Sequence, residues 1–169
     1  MGMKYIISIL ILSFIGANVF IASSNSMTVF NSNNEIKVVY AHTASREGMH
    51  KEDRMGIRII LYFDGKIEKY SINIRTEDKL IAINHITQNE INNIDKLFTQ
   101  YDFLSYPEKI PSNERHMWPS STTCIKYSQN EDSELKSFVY SSNSDHQYIP
   151  LGFKDFVQEL KTQLFSYFD

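Results

Sequence analysis

The stretch that most restricts what this chain can fold into is IRIILYFDGKIEKYSINI, residues Ile57 to Ile74. Asp64-Gly65 is the pair that a two-residue type I′ turn demands, because both central residues need φ > 0. A turn at that point pairs Phe63 with Lys66, Ile59 with Tyr70 and Ile57 with Ile72. One face then carries Ile57, Ile59, Leu61, Phe63, Tyr70 and Ile72, while Ile60, Tyr62 and Ile67 take the other. A first strand that is apolar on both sides reads as a central strand, covered on both faces. The hairpin is scaffold and carries no chemistry.

Around it the chain alternates between strand and helix signals. Glu35 to Ala41 is a β-branched strand with Ile36, Val38 and Tyr40 on one face. Leu80 to Ile83, Thr122 to Ser128 and Leu135 to Tyr140 have strand character. Thr87 and Glu90 form a Thr-x-x-Glu capping box, and Ile86 stands where it meets Ile91 as a hydrophobic staple. Ile91, Ile94, Leu97, Phe98 and Tyr101 follow at helical spacing. This helix ends before Tyr106-Pro107, since a residue preceding proline avoids the α region. A second helix spans Gly152 to Phe168, with Phe153, Phe156, Val157, Leu160, Leu164 and Phe168 on one stripe. The expected fold is α+β: an antiparallel sheet of about five strands built on the Asp-Gly hairpin, with both amphipathic helices packed on one face.

Residues 1–24 have the order of a secretory signal peptide: Lys4, an apolar run from Ile6 to Ile15, then small residues at Gly16, Ala17, Ala22, Ser23 and Ser24. Cleavage is expected after Ala22 or Ser24. The rival reading is an uncleaved N-terminal anchor, because Ile6 to Ala22 is 17 residues, the lower edge of a membrane span. Residues 25–169 then form one domain, whose lead from Ser23 to Asn34 is a candidate for an added edge strand. Without Lys4 that chain carries 16 basic and 20 acidic residues, with no basic cluster. That balance argues against nucleic acid, and leaves membrane contact to the N-terminal segment alone. Cys124 is the only cysteine, so the core must hold the fold without an internal disulfide, in an envelope or secreted setting that permits one. None of the 13 asparagines stands in a glycosylation sequon, which fits a bacterial exported protein.

The sequence holds no His-Glu-x-x-His, Gly-x-Ser-x-Gly, Walker A or dinucleotide fingerprint. Cys124 sits in the alternating strand TTCIKYS, where a cysteine is normally a small buried hydrophobe. His42, His50, His116 and His146 fall in expected loops, at spacings that match no local metal-ligand pair, so neither metal nor cofactor is assigned. Two long loops remain. Pro107 to Ser121, stiffened by three prolines, carries His116, Met117 and Trp118. An aromatic and a methionine in such a loop lose little entropy on binding, and Trp is enriched at hot spots. The competing role for Trp118 is a lid folded back on the core. The charged loop His42 to Arg54 adds His50 and Arg54 as partner-binding candidates.

These features favour an exported, non-enzymatic binding domain that presents loops to a protein partner, of inhibitor or immunity type. The element order resembles small bacterial inhibitor domains built from a sheet and two helices. The alternatives are a thiol-dependent or metal-assisted hydrolase using Cys124 and loop histidines, and a carrier of a small apolar ligand.

Overall fold

The computed structural model describes residues 19–23, 26–30, 35–44, 55–73, 76–111, 121–142 and 144–169. They belong to two units, Met1–Ser32 and Asn33–Asp169. In the first, β1 (Val19–Ser23) and β2 (Ser26–Phe30) form an antiparallel hairpin in register from Val19–Phe30 to Ser23–Ser26. Residues 26–30, part of the lead considered as an edge strand, therefore pair with β1 in a two-stranded sheet.

The second unit is built on six antiparallel strands: β3 (Ile36–Ala44), β4 (Met55–Tyr62), β5 (Lys66–Asn73), β6 (Lys79–His85), β7 (Ser121–Tyr127) and β8 (Lys136–Ser141). Their order is β6-β5-β4-β3-β7-β8. The β-branched and aromatic runs thus make four neighbouring strands in chain sequence, then a hairpin that joins at β3. The sheet is one strand wider than expected, and β6 extends past Leu80–Ile83 at both ends.

The register of the central hairpin corrects the sequence reading. Leu61 pairs with Ile67, Ile59 with Lys69 and Ile57 with Ser71, one residue away from a two-residue turn. Three residues, Phe63, Asp64 and Gly65, make the connection. Gly65 N–H donates to the Tyr62 carbonyl at 3.1 Å, and Asp64 Oδ1 accepts from Lys66 N–H at 2.9 Å. Gly65 has φ +87°, where an added Cβ would press on the Ile86 carbonyl, so both strain and space demand glycine. A one-residue slip exchanges faces. Ile67 therefore joins the core beside Leu61, while Glu68, Tyr70 and Ile72 move to the opposite side with Arg58, Ile60 and Tyr62.

Helix α1 (Gln88–Gln100) begins where its capping box lies. Thr87 Oγ1 accepts from Glu90 N–H at 3.4 Å, and Glu90 Oε2 accepts from Thr87 N–H at 2.7 Å. The helix stops at Tyr101 because Asp102 turns left-handed (φ 49°, ψ 44°) into a 3-10 turn at Phe103–Ser105, ahead of Pro107. Helix α2 (Phe153–Ser166) follows Gly152, also at positive φ. Ile91, Ile94 and Phe98 of α1 and Phe153, Phe156, Leu160 and Leu164 of α2 are buried with Val38, Tyr40, Ile59, Leu61, Ile67, Ile125 and Phe138 of the sheet. Both helices therefore cover the same face. Phe98 stacks on Tyr127 at 3.9 Å between ring centroids and meets Phe103 and Phe156 edge-on at 5.0 and 5.2 Å. Each large apolar side chain buried this way contributes about 1.5–3 kcal/mol.

A register shift between Ile36 and Val38 accompanies one charged tie between the layers. Lys37 Nζ lies 2.9 Å from Asp95 Oδ1 on α1, 3.3 Å from the Gln129 carbonyl and 4.6 Å from the Phe63 ring centre. Tyr127 Oη donates to the same Asp95 oxygen at 3.0 Å. A buried ammonium is tolerable only with such a set of partners.

Candidate functional site

The six strands of the larger sheet share two ends, and the long connections gather at one of them. Ala44, the last residue of β3, is paired with Met55 at the start of β4 and with Ser121 at the start of β7. Segments 45–54 and 112–120 are therefore rooted on three adjacent residues, Met55 and Ser121 each paired with Ala44. The far root of 112–120 is fixed at the same end: Glu108 to Ile110 runs beside β8, and Asp145 N–H donates to the Pro111 carbonyl at 2.8 Å. Ser121 is held in turn by Ser142, whose N–H donates to its carbonyl at 3.0 Å and whose Oγ accepts its N–H at 3.3 Å. Close approach of β3 and β4 here requires Gly56, since a Cβ on it would collide with the His42 carbonyl and with Thr43.

His50, Arg54, His116, Met117 and Trp118, the residues the sequence singles out for partner binding, lie outside the described residues. Their roots lie within them. His42, expected in a loop, is inside β3, because the period-two pattern of Val38 and Tyr40 runs on through it. Its Nδ1 is 2.9 Å from Thr123 Oγ1 on β7, and burial, with Lys161 nearby on α2, lowers its pKa. That continued alternation was the signal available in sequence.

Cys124 is partly buried on the opposite face from His42, because its neighbour Thr123 is the residue paired with His42. Burial pushes the Cys124 thiol up, against smaller opposing effects of Lys126, a hydrogen bond with Ser137, and Arg58. A thiol held in its protonated form is a poor nucleophile. His146 opens a short 3-10 turn at the loop-bearing end, and His85 ends β6 at the other.

A polar cluster that the sequence did not reveal occupies the face of the sheet opposite α1 and α2. Glu68 Oε2 accepts from Tyr62 Oη at 2.8 Å and from Tyr70 Oη at 2.7 Å, while Lys66 Nζ is 2.7 Å from Oε1. Burial by itself works to raise the Glu68 carboxyl, but the hydrogen bonds from Lys66, Tyr70 and Tyr62 outweigh it and hold the group below the usual range. Burial, then the bond to Glu68, raises both phenols. Next to it, Arg58 Nη1 pairs with Asp78 Oδ2 at 2.6 Å. A carboxylate with both oxygens engaged is an anchor between β4 and β5, not a free base. The cluster was illegible because the two-residue turn would have put Glu68 on Leu61's side, away from Tyr62.

A shallow depression on the outer side of α1 is lined by Asn92, Asp95, Lys96, Thr99 and Gln100. Its one carboxylate, Asp95, is already committed to Lys37 and Tyr127. Among the described residues no three His, Cys, Asp or Glu side chains are placed to hold a metal ion, and no helix is long and apolar enough to cross a membrane. No family model and no curated protein matches this chain.

Proposed function

We propose that this chain is an exported, non-enzymatic binding domain that presents the loops at 45–54 and 112–120 to a protein partner, in the manner of an inhibitor or immunity protein. The observation that carries the reading is the pairing of Ala44 with both Met55 and Ser121. Two loops chosen on residue type alone, far apart in sequence, leave from one patch of one sheet. Rigid strands that carry adjacent loops are the usual way a small scaffold builds a recognition surface. The acidic balance and the absence of a basic cluster in the sequence favour protein over nucleic acid as partner. Export rests on the Lys4, Ile6–Ile15 and small-residue order of the first 24 residues.

The alternatives draw less support. A Cys124–His42 pair would need side chains on one face, and these two sit on opposite faces. A carrier needs room between sheet and helices, where Phe98, Phe103, Phe138 and Phe156 are in ring contact with one another or with Tyr106 and Tyr127. The test is capture of partners from the native envelope fraction by the tagged full chain. One stoichiometric protein that is lost when both loops are replaced by Gly/Ser linkers is the expected result. Capture that survives both replacements overturns the reading.

A further inference from the structure

We infer that β6 is a guarded edge: a bulge at Ile81 and the side chain of Asn84 break its outward hydrogen-bonding ladder, so that a strand of another chain does not add to the sheet there. The two edges of the sheet are finished differently. At β8, Val139 N–H donates to the Glu108 carbonyl at 2.9 Å and Ile110 N–H to the Val139 carbonyl at 3.4 Å, so a strap covers that edge. At β6, among the described residues, no strand pairs with the outer side, and Leu80, Ile81 and Ile83 are 43%, 54% and 51% exposed. An apolar edge left open in this way is a template for other chains unless its ladder is interrupted.

The pairing with β5 shows where the interruption falls. Ile86 N–H donates to the Gly65 carbonyl, on the β5 side, at 2.9 Å. Backbone groups alternate in direction along an antiparallel strand. Those of Asn84 and Ala82 therefore also turn to β5, while those of His85 and Ile83 face outward. An unbroken strand would carry the outward set on to Ile81, opposite Tyr70. Instead Tyr70 pairs with Leu80 and Lys69 with Ala82, which leaves Ile81 as the extra residue of a bulge. The outward groups beyond it fall out of step with a straight partner strand, and the local twist increases. Only Ile83 and His85 stay in step, and the N–H of His85 is already taken, by Asn84 Oδ1 at 2.8 Å. Asn84 is held in place from the other layer, because its Nδ2 donates at 2.7 Å to the carbonyl of Tyr167, the residue that ends α2. The same end of α2 is fixed beside the bulge: the ammonium of Lys69 lies 4.9 and 5.2 Å from the ring centres of Phe165 and Phe168. The guard does not depend on whether the loops bind a partner.

Deleting Ile81 joins the Leu80–Tyr70 and Ala82–Lys69 pairs into one regular ladder without changing either. It also removes an exposed isoleucine, so association driven by apolar surface alone would fall, whereas loss of the guard makes it rise. Sedimentation of the full chain over a range of concentration is expected to show the deletion variant associating about tenfold or more strongly than the parent, since a continuous edge adds two or more ladder hydrogen bonds. Asn84→Ala, which releases only the His85 N–H, should give a smaller rise and carries the test by itself if the deletion does not fold. Ile83→Lys added to either variant should cancel the rise, because a charge on the edge blocks strand addition. In the parent chain the same substitution should leave sedimentation unmoved. Variants that associate no more than the parent, a rise that survives Ile83→Lys, or a parent whose own association Ile83→Lys abolishes would each overturn the proposal.

Discussion

The two ends of the sheet are closed in opposite ways. At one, β4 and β5 meet in three residues, Phe63 N–H donates to the Glu35 carbonyl at 3.1 Å, Ser128 N–H donates to the Lys37 carbonyl at 2.8 Å, and Lys37 ties the sheet to α1. At the other, β3, β4 and β7 end side by side and give out into the long connections rooted at Ala44, Met55 and Ser121. The same strands thus serve two needs. The closed end spends its hydrogen bonds on fixing the layers, which leaves the other end free to vary in sequence and length at little cost to the core.

Substitutions at the two ends should accordingly fail in different assays. The largest effect belongs to the closed end: Phe98→Ala empties the site between Tyr127, Phe103 and Phe156 and should cost about 3–5 kcal/mol in denaturant unfolding. A loss under about 1 kcal/mol would mean that this end is not where the stability resides. Next comes the loop end. Trp118→Ala should leave the unfolding midpoint nearly unchanged while weakening the partner complex by roughly 2–4 kcal/mol. A stability loss of core size, with blue-shifted fluorescence from this only Trp, would make Trp118 a lid on the core and erase the contrast. Thr87→Ala, back at the closed end, removes the cap of α1 and should cost ~1 kcal/mol. An unchanged melting curve would show the 3.4 Å bond to be idle.

The smallest effect is a pH slope from His42. Its folded pKa is lowered, by burial first and Lys161 second, so both states are neutral well above the ordinary value of about 6.5. Below it the unfolded chain takes up a proton that the fold resists, and stability falls as pH drops until the folded imidazole also titrates. Tm measured from neutral to mildly acid pH should decline less in His42→Gln than in the parent chain. Equal slopes would assign the decline to other groups.

Local features were legible in sequence and long-range ones were not. The capping box at Thr87 and Glu90 was readable because both partners lie within one turn. The hairpin at Asp64-Gly65 was readable as a turn but not in register. A two-residue type I′ turn needs positive φ at Asp64 as well as Gly65, whereas here Gly65 has it and Asp64 does not, and Asp64 Oδ1 instead accepts from Lys66 N–H. That single residue carried Glu68 and Tyr70 to the other face, and with them the carboxylate cluster of Tyr62, Lys66, Glu68 and Tyr70. Of the site, the loops could be picked by residue type. Their common root could not, because it depends on β7 lying beside β3, a choice that no local pattern records.

That strand order has a kinetic consequence. The β3–β7 ladder joins residues far apart along the chain, 81 positions at the bond between His42 and Thr123, whereas β3 through β6 and the β7–β8 hairpin pair strands that follow one another in sequence. Contacts so distant along the chain are costly to form and slow the search for the native state. Ser121 reaches Ala44 only when that ladder is made. The loop platform is therefore a product of the slowest pairing in the molecule, and fragments that stop short of β7 will contain Ala44 and Met55 without the Ser121 that completes the platform.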